Sequence, residues 1–163
     1  MFKLQESQDY TYEGCCTIWG QEIFMGLDLP AGEDKSVALQ DALPFIEERL
    51  GWLENNRARI EKALLDDGGT ALAQEWACSA EEGEEEGVES YIMEDGQIVY
   101  FPITSEDFCA SLRLESLVLD GSDGNGAIRI EVLLICDPDY FAGHALAVHV
   151  EADGTVVSDG LFG

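Results

Sequence analysis

The sequence predicts an α+β fold, a mostly antiparallel β-sheet (a meander) with helices packed on one face. Three observations predict it. Apolar and polar residues alternate at both ends of the chain, the pattern of half-buried strands. Between the two ends, apolar residues recur at helical spacing. Turn dipeptides built from Gly, Asp and Asn punctuate both kinds of segment. Helices gathered on one side of a meander bury the apolar side of each layer. A chain of 163 residues can build a proper core and reads as a single α+β domain spanning 1–163.

The elements follow in order. Residues 10–19 and 21–29 are rich in β-formers, and Gly20-Gln21 reads as the hairpin turn between them. Ile23, Met25, Leu27 and Leu29 then share one face, and Pro30-Ala31-Gly32 ends the strand. Leu39, Leu43, Ile46, Leu50, Leu53, Ile60 and Leu64 recur at steps of three, four and seven, with Ser36 as the expected N-cap. Pro44 should kink or restart this helix, because it has no N–H to bond back one turn. Asn55-Asn56 divides the helical region, and Asp66-Asp67-Gly68-Gly69 stops it. Thr70 is the expected cap of a short helix over 71–78. Glu81-Glu82-Gly83-Glu84-Glu85-Glu86-Gly87 repels itself and reads as a mobile loop. Asp95-Gly96 is a hairpin turn, and Thr104 or Ser105 caps a helix that opens on Glu106 and Asp107. Strands are expected over 114–120, 128–136, 143–151 and 155–159, with turns at 121–126, Asp137-Pro138-Asp139 and Asp153-Gly154. Ile128, Ile130, Val132, Leu134, Leu146, Val148 and Val150 should form one buried sheet face, with Leu43, Ile46, Leu50 and Leu53 close to it. Alternation leaves open whether the first two strands join the last sheet.

Charge restricts function more than any motif does. Thirty-four Asp and Glu face eight Lys and Arg, a net charge of −26. Nucleic acid and anionic membrane are bound by neutralising phosphates with Lys and Arg, so neither is an expected partner. A cationic partner, a metal ion or plain solubility fits instead. With 46% hydrophobic residues the chain should fold. No apolar run approaches a membrane span, and Met1-Phe2-Lys3-Leu4-Gln5-Glu6 lacks a signal-peptide stretch, so a cytoplasmic location is expected. Cys15, Cys16, Cys78, Cys109 and Cys136 are expected to be free thiols, and without a C-x-x-C they do not form a zinc motif. Arg49, Arg57, Arg59 and Lys62 are expected to pair with Glu47, Glu48, Glu54 and Glu61 along the helical region.

Two candidate sites arise. His144 lies, by alternation, on the same strand face as Leu146, Val148 and Val150, where a hydrogen-bonded structural histidine is the simpler reading. As a catalytic group it would need Asp137 or Asp139 to orient it as a general base. His149 faces the other side, so the two histidines cannot share a metal from one strand. Asp120, Asp123 and Asn125 lie in a Gly-rich segment that invites a calcium reading. The spacing departs from an EF-hand loop and the flanks are strands, so a hairpin loop is the simpler reading. Phosphate-binding Gly-rich loops are absent, and no cofactor is implied.

The segments Ile103-Thr104-Ser105-Glu106-Asp107-Phe108, Leu112-Arg113-Leu114-Glu115-Ser116-Leu117 and above all Phe141-Ala142-Gly143-His144-Ala145-Leu146-Ala147-Val148 carry a resemblance. From about residue 36 to 163, the chain resembles a group of small bacterial domains of unknown function, closed by an F-x-G-H strand and a D-G turn. Asn55-Asn56 is similar to helix ends in that group, whereas the acidic run at 81–86 departs from it. Some members are presumed immunity proteins of toxin systems, so the resemblance implies a binding protein and carries over no catalytic residue. The leading expectation is a cytoplasmic bacterial protein that acts by binding a basic protein partner, in an immunity-like role. The alternatives are a small hydrolase-type enzyme using His144 with Asp137 or Asp139, and an acidic metal-binding module.

Overall fold

The computed structural model describes residues 2–32 and 34–163. Among them the chain runs β1 (Lys3–Glu6), β2 (Tyr12–Ile18), β3 (Gln21–Asp28), α1 (Lys35–Asn55), α2 (Arg57–Asp66), α3 (Gly69–Ala77), β4 (Glu81–Glu82), β5 (Ser90–Ile92), β6 (Ile98–Tyr100), α4 (Ser105–Ser111), β7 (Leu112–Asp120), β8 (Arg129–Cys136), β9 (Ala145–Val150) and β10 (Val156–Phe162). The α+β class is as expected. A seven-stranded sheet has the order β1-β2-β3-β7-β8-β9-β10, and β4, β5 and β6 form a second, small sheet.

The large sheet is mixed. Strands β7 to β10 are the antiparallel meander, but β3 runs parallel to β7, with Phe24 opposite Ser116 and Asp28 opposite Asp120. The N-terminal strands therefore join the C-terminal sheet. A parallel pair needs a long crossover, and here the helices and the small sheet supply it. The core face is the one expected. Ile23, Met25, Leu27, Leu117, Leu119, Ile130, Val132, Leu134, Leu146, Val148 and Val150 are buried, and Ile46, Leu50, Leu53, Ile60 and Leu64 of the helices share their cluster. The opposite sheet face carries Phe24, Glu131, Val157 and Phe162, all exposed.

Several local expectations are corrected. The first hairpin turns at Trp19-Gly20, not Gly20-Gln21, because both of these residues take positive φ, 50° and 73°. The Trp19 turn is pinned to the end of α1, with its backbone N–H donating to Glu54 Oε2 (2.6 Å) and its indole to the Leu53 carbonyl (3.0 Å). Asp34 caps α1 in place of Ser36. Its carboxylate accepts from the N–H groups of Ser36 and Val37, which holds its pKa below the usual carboxylate range, with the Ser36 hydroxyl bond the largest cause. The helix does not restart at Pro44, which lies inside α1. Gly68, left-handed at φ 82°, occupies the cap position of α3, so Thr70 lies inside the helix and its buried hydroxyl finds no partner among the described residues. Leu43 is only half-buried.

The acidic run is not wholly a loop. Glu81 and Glu82 pair with Ile92 and Tyr91, and the Gly83 N–H donates to the Ser90 carbonyl at 2.8 Å. A Cβ on Gly83 would sit 2.0 Å from the Ser90 hydroxyl. The missing side chain is what lets this charged segment close on the small sheet. The carboxylates themselves stay exposed. The helix N-terminus at Thr104 is as expected, a capping box in which Thr104 and Asp107 exchange hydrogen bonds.

The helical basic residues are used internally, only partly as expected. Arg57 pairs with Glu61 (2.8 Å) and Lys62 with Asp66. Arg49 is buried and donates to backbone carbonyls, and the Arg59 guanidinium lies over the Trp52 ring at 5.3 Å. Arg57 also reaches the Cys109 and Leu112 carbonyls (3.3 Å each) and covers Trp19 at 5.0 Å. The cysteines are free, with Cys15 exposed and Cys16 buried on opposite strand faces. Burial pushes the Cys16 and Cys136 thiols up to about 11, which makes them inert.

Candidate functional site

The β8–β9 loop, which contains the F-x-G-H segment, folds around one carboxylate. Asp139 accepts from the Phe141 N–H (3.2 Å) and the Gly143 N–H (2.7 Å). The Phe141 carbonyl accepts the His144 N–H at 3.1 Å. The His144 ring donates from Nδ1 to that same carbonyl at 2.9 Å. A carbonyl only accepts, so Nδ1 carries the proton. Ala142 takes a left-handed φ of 51° and Gly143 one of 83°, which closes the turn.

His144 therefore lies just before β9, not on its core face, and is half-buried. Its ring packs against Trp76, centroids 5.1 Å apart. Asp139 spends both oxygens on backbone N–H groups, and Asp137 accepts from the Gln97 side chain at 2.5 Å. Neither carboxylate hydrogen-bonds the imidazole, which turns to the Phe141 carbonyl instead. His149 lies on the opposite sheet face between Asp159 (2.7 Å) and Glu151 (3.1 Å). Asp120 accepts from the Ser122 N–H and hydroxyl, and Asn125 from the Ala127 N–H, so both close turns. Asp123 is exposed. Among the described residues, no group of three or more His, Cys, Asp or Glu is placed to hold a metal ion.

We expect His144→Ala to cost about 1–2 kcal/mol, from one lost hydrogen bond and ring contact, read by urea denaturation. Wild-type stability in the variant would show that the ring contributes nothing to the turn.

A pocket of about 420 Å³ borders this loop. Helix α3 contributes Glu75 and Trp76 to one wall, the β5–β6 turn contributes Met93 and Glu94, and the β8–β9 loop contributes Asp139, Tyr140 and Ala142. Asp95 ties the turn to the loop by accepting the Asp139 N–H at 3.0 Å. Burial works against the Asp95 carboxylate, but bonds from the Gln97 and Asp139 N–H groups outweigh it and hold its pKa low. Burial pushes the Tyr140 phenol up to about 12, so it stays neutral. The candidate residues of the sequence pointed only to its β8–β9 part, through Asp139 and through Ala142 of the F-x-G-H segment, because three distant segments build the pocket.

One further sequence signal did exist. Residues 63–112 contain thirteen Asp and Glu and no Lys or Arg, half of the net charge of −26. The folded chain gathers α3, the small sheet and α4 from that stretch. Lys62 pairs with its Asp66, and Arg57 and Arg113 reach carbonyls at its α4 end, while the α3 and β5–β6 part of the stretch lines the pocket together with the β8–β9 loop.

An acidic α+β protein with a mixed seven-stranded sheet is thus defined. Residues 1–161 match the family model described as "Uncharacterized protein conserved in bacteria (DUF2262)", and the chain belongs to that family. No curated protein and no solved structure matches it. Among the described residues, no helix is long and apolar enough to cross a membrane.

Proposed function

We propose that this protein acts by binding a basic protein partner, in the cytoplasm and in an immunity-like role. The observation that carries the reading is the stretch of thirteen carboxylates without a single Lys or Arg over residues 63–112. Lys62, just outside it, pairs with its Asp66, and Arg49 and Arg57 are used internally, by carbonyls and by Glu61. A single-sign region of this kind steers an oppositely charged protein and raises its association rate.

The test pairs this chain with the product of a neighbouring gene of pI above about 9, and with an equally basic unrelated protein such as cytochrome c. The neighbour should bind with an association rate that falls at least about tenfold between low and high salt. Its affinity should exceed that for cytochrome c. Equal affinity for both proteins, or an association rate indifferent to salt, would overturn the reading.

A further inference from the structure

The chain has three tryptophans. Two of them carry a guanidinium from their own chain: Arg57 lies over Trp19, and Arg49 and Arg59 lie over Trp52. Among the described residues, Trp76 has no such cation. It borders the 420 Å³ pocket instead, and no Lys or Arg is among the residues that line that pocket. Its two neighbouring rings are the buried Phe141 and the half-buried His144.

The pocket's chemistry is specific. Trp76 and Met93 give it an apolar wall, and Glu75 of α3 and Glu94 of the β5–β6 turn also line it. Asp139 adds charge, but its oxygens already accept backbone N–H groups. The exposed Glu75 and Glu94 carboxylates have no side-chain hydrogen bond among the described residues, so they are the free acceptors. A planar guanidinium stacks on an indole and donates outward from its rim to carboxylates. A lysine ammonium offers a point charge without the plane. We infer that this pocket receives one arginine side chain of the partner, stacked on Trp76 and bonded to Glu75 and Glu94. The inference rests on the binding function proposed above and names the site that would serve it.

The test follows the Trp76 indole N–H resonance of the whole chain by NMR. The probes are acetyl-Gly-Arg-Gly-amide and the same peptide with citrulline, which keeps the shape and removes the charge. The arginine peptide should shift Trp76 saturably, and citrulline should not. Glu75→Gln with Glu94→Gln should weaken the arginine peptide by about tenfold or more, two charge-assisted bonds being lost. Removing the same charge elsewhere, at the exposed Glu22 and Glu47, should leave the affinity within about twofold, since distant exposed charges are screened. An unshifted Trp76, an equal response to citrulline, or equal weakening by the control pair would each overturn the site.

The two failures are distinguishable. If a basic partner keeps salt-dependent binding after Glu75→Gln and Glu94→Gln, the pocket is wrong and the binding function stands. If the arginine peptide shifts Trp76 but no basic protein binds, the function is wrong and the pocket stands.

Discussion

Replacing Arg49 with alanine is expected to lower the unfolding free energy by about 2–4 kcal/mol, since hydrogen bonds to a charged group are among the strongest in a fold. Arg49 is only 7% exposed although it lies in a helix with Glu47 and Glu48 beside it. Its Nη2 donates to the carbonyls of Glu151 (2.8 Å) and Val150 (3.3 Å), and Nη1 to that of Ala152 (3.4 Å). One planar group thus holds the end of β9 and the turn into β10. Burial lowers the guanidinium from its ordinary pKa, with Glu48 and Asp153 opposing, and it stays charged. Its Nε has no partner among the described residues, so part of the gain is offset. Arg49→Lys should recover less than half of the loss, because one ammonium cannot span three carbonyls. Urea denaturation checks the magnitude. Hydrogen exchange checks the cause: the Glu151 and Gly154 amides, bonded to Thr155 and Glu151 carbonyls, should lose protection first. A loss under about 1 kcal/mol would mean that water replaces the guanidinium at these carbonyls without penalty.

Arg49 also shows where sequence reading stops. Position 49 follows Ile46 by three and precedes Leu53 by four, so it lies on the buried stripe of α1. Its acidic neighbours in sequence suggested a surface ion pair instead, and a helix places those neighbours on other faces. Periodicity located the strands and their buried sides well, as Ile130, Val132, Leu146 and Val148 show. It could not reveal that β3 lies parallel to β7, because alternation names the face of a strand and not its neighbour or direction. Turn chemistry was legible where Gly takes positive φ, as at Gly96 and Gly154. It failed at Trp19, a residue that rarely takes such a φ and does so here while tied to α1. The acidic run was read from its charge alone, and Gly83 inside it gave the backbone its way onto Ser90. Of the candidate sites, His144 drew attention for its chemistry, whereas Trp76, Glu75 and Glu94 are ordinary in sequence and meet only in the fold.

Phe141→Ala is expected to cost about 3–5 kcal/mol, the range for emptying a buried aromatic site. Phe141 is fully buried, with its ring edge-on to Trp76 (centroids 6.1 Å, 72°) and to Tyr140 (6.4 Å, 89°). Its backbone is the hub of the turn, donating to Asp139 and accepting twice from His144. The F-x-G-H segment is then one structural device: a phenyl anchor, a left-handed corner at residues 142–143, and an imidazole that returns to the anchor's carbonyl. Alanine keeps every backbone bond of that turn and removes the anchor alone, so its stability loss measures packing. Leucine at the same position should cost less, because it refills most of the volume. The function should follow by a separate route. Without the phenyl ring beneath it, Trp76 is free to sink toward the core, and the pocket loses the wall on which a guanidinium would stack. Phe141→Ala should therefore lose both stability and arginine-peptide binding, whereas Glu75→Gln should lose binding alone. Denaturation curves and the Trp76 resonance read the two effects on the same samples. A loss below about 1.5 kcal/mol would show that the surroundings collapse into the hole, the cost depending on how far such a site relaxes, and that Phe141 does not set the position of Trp76.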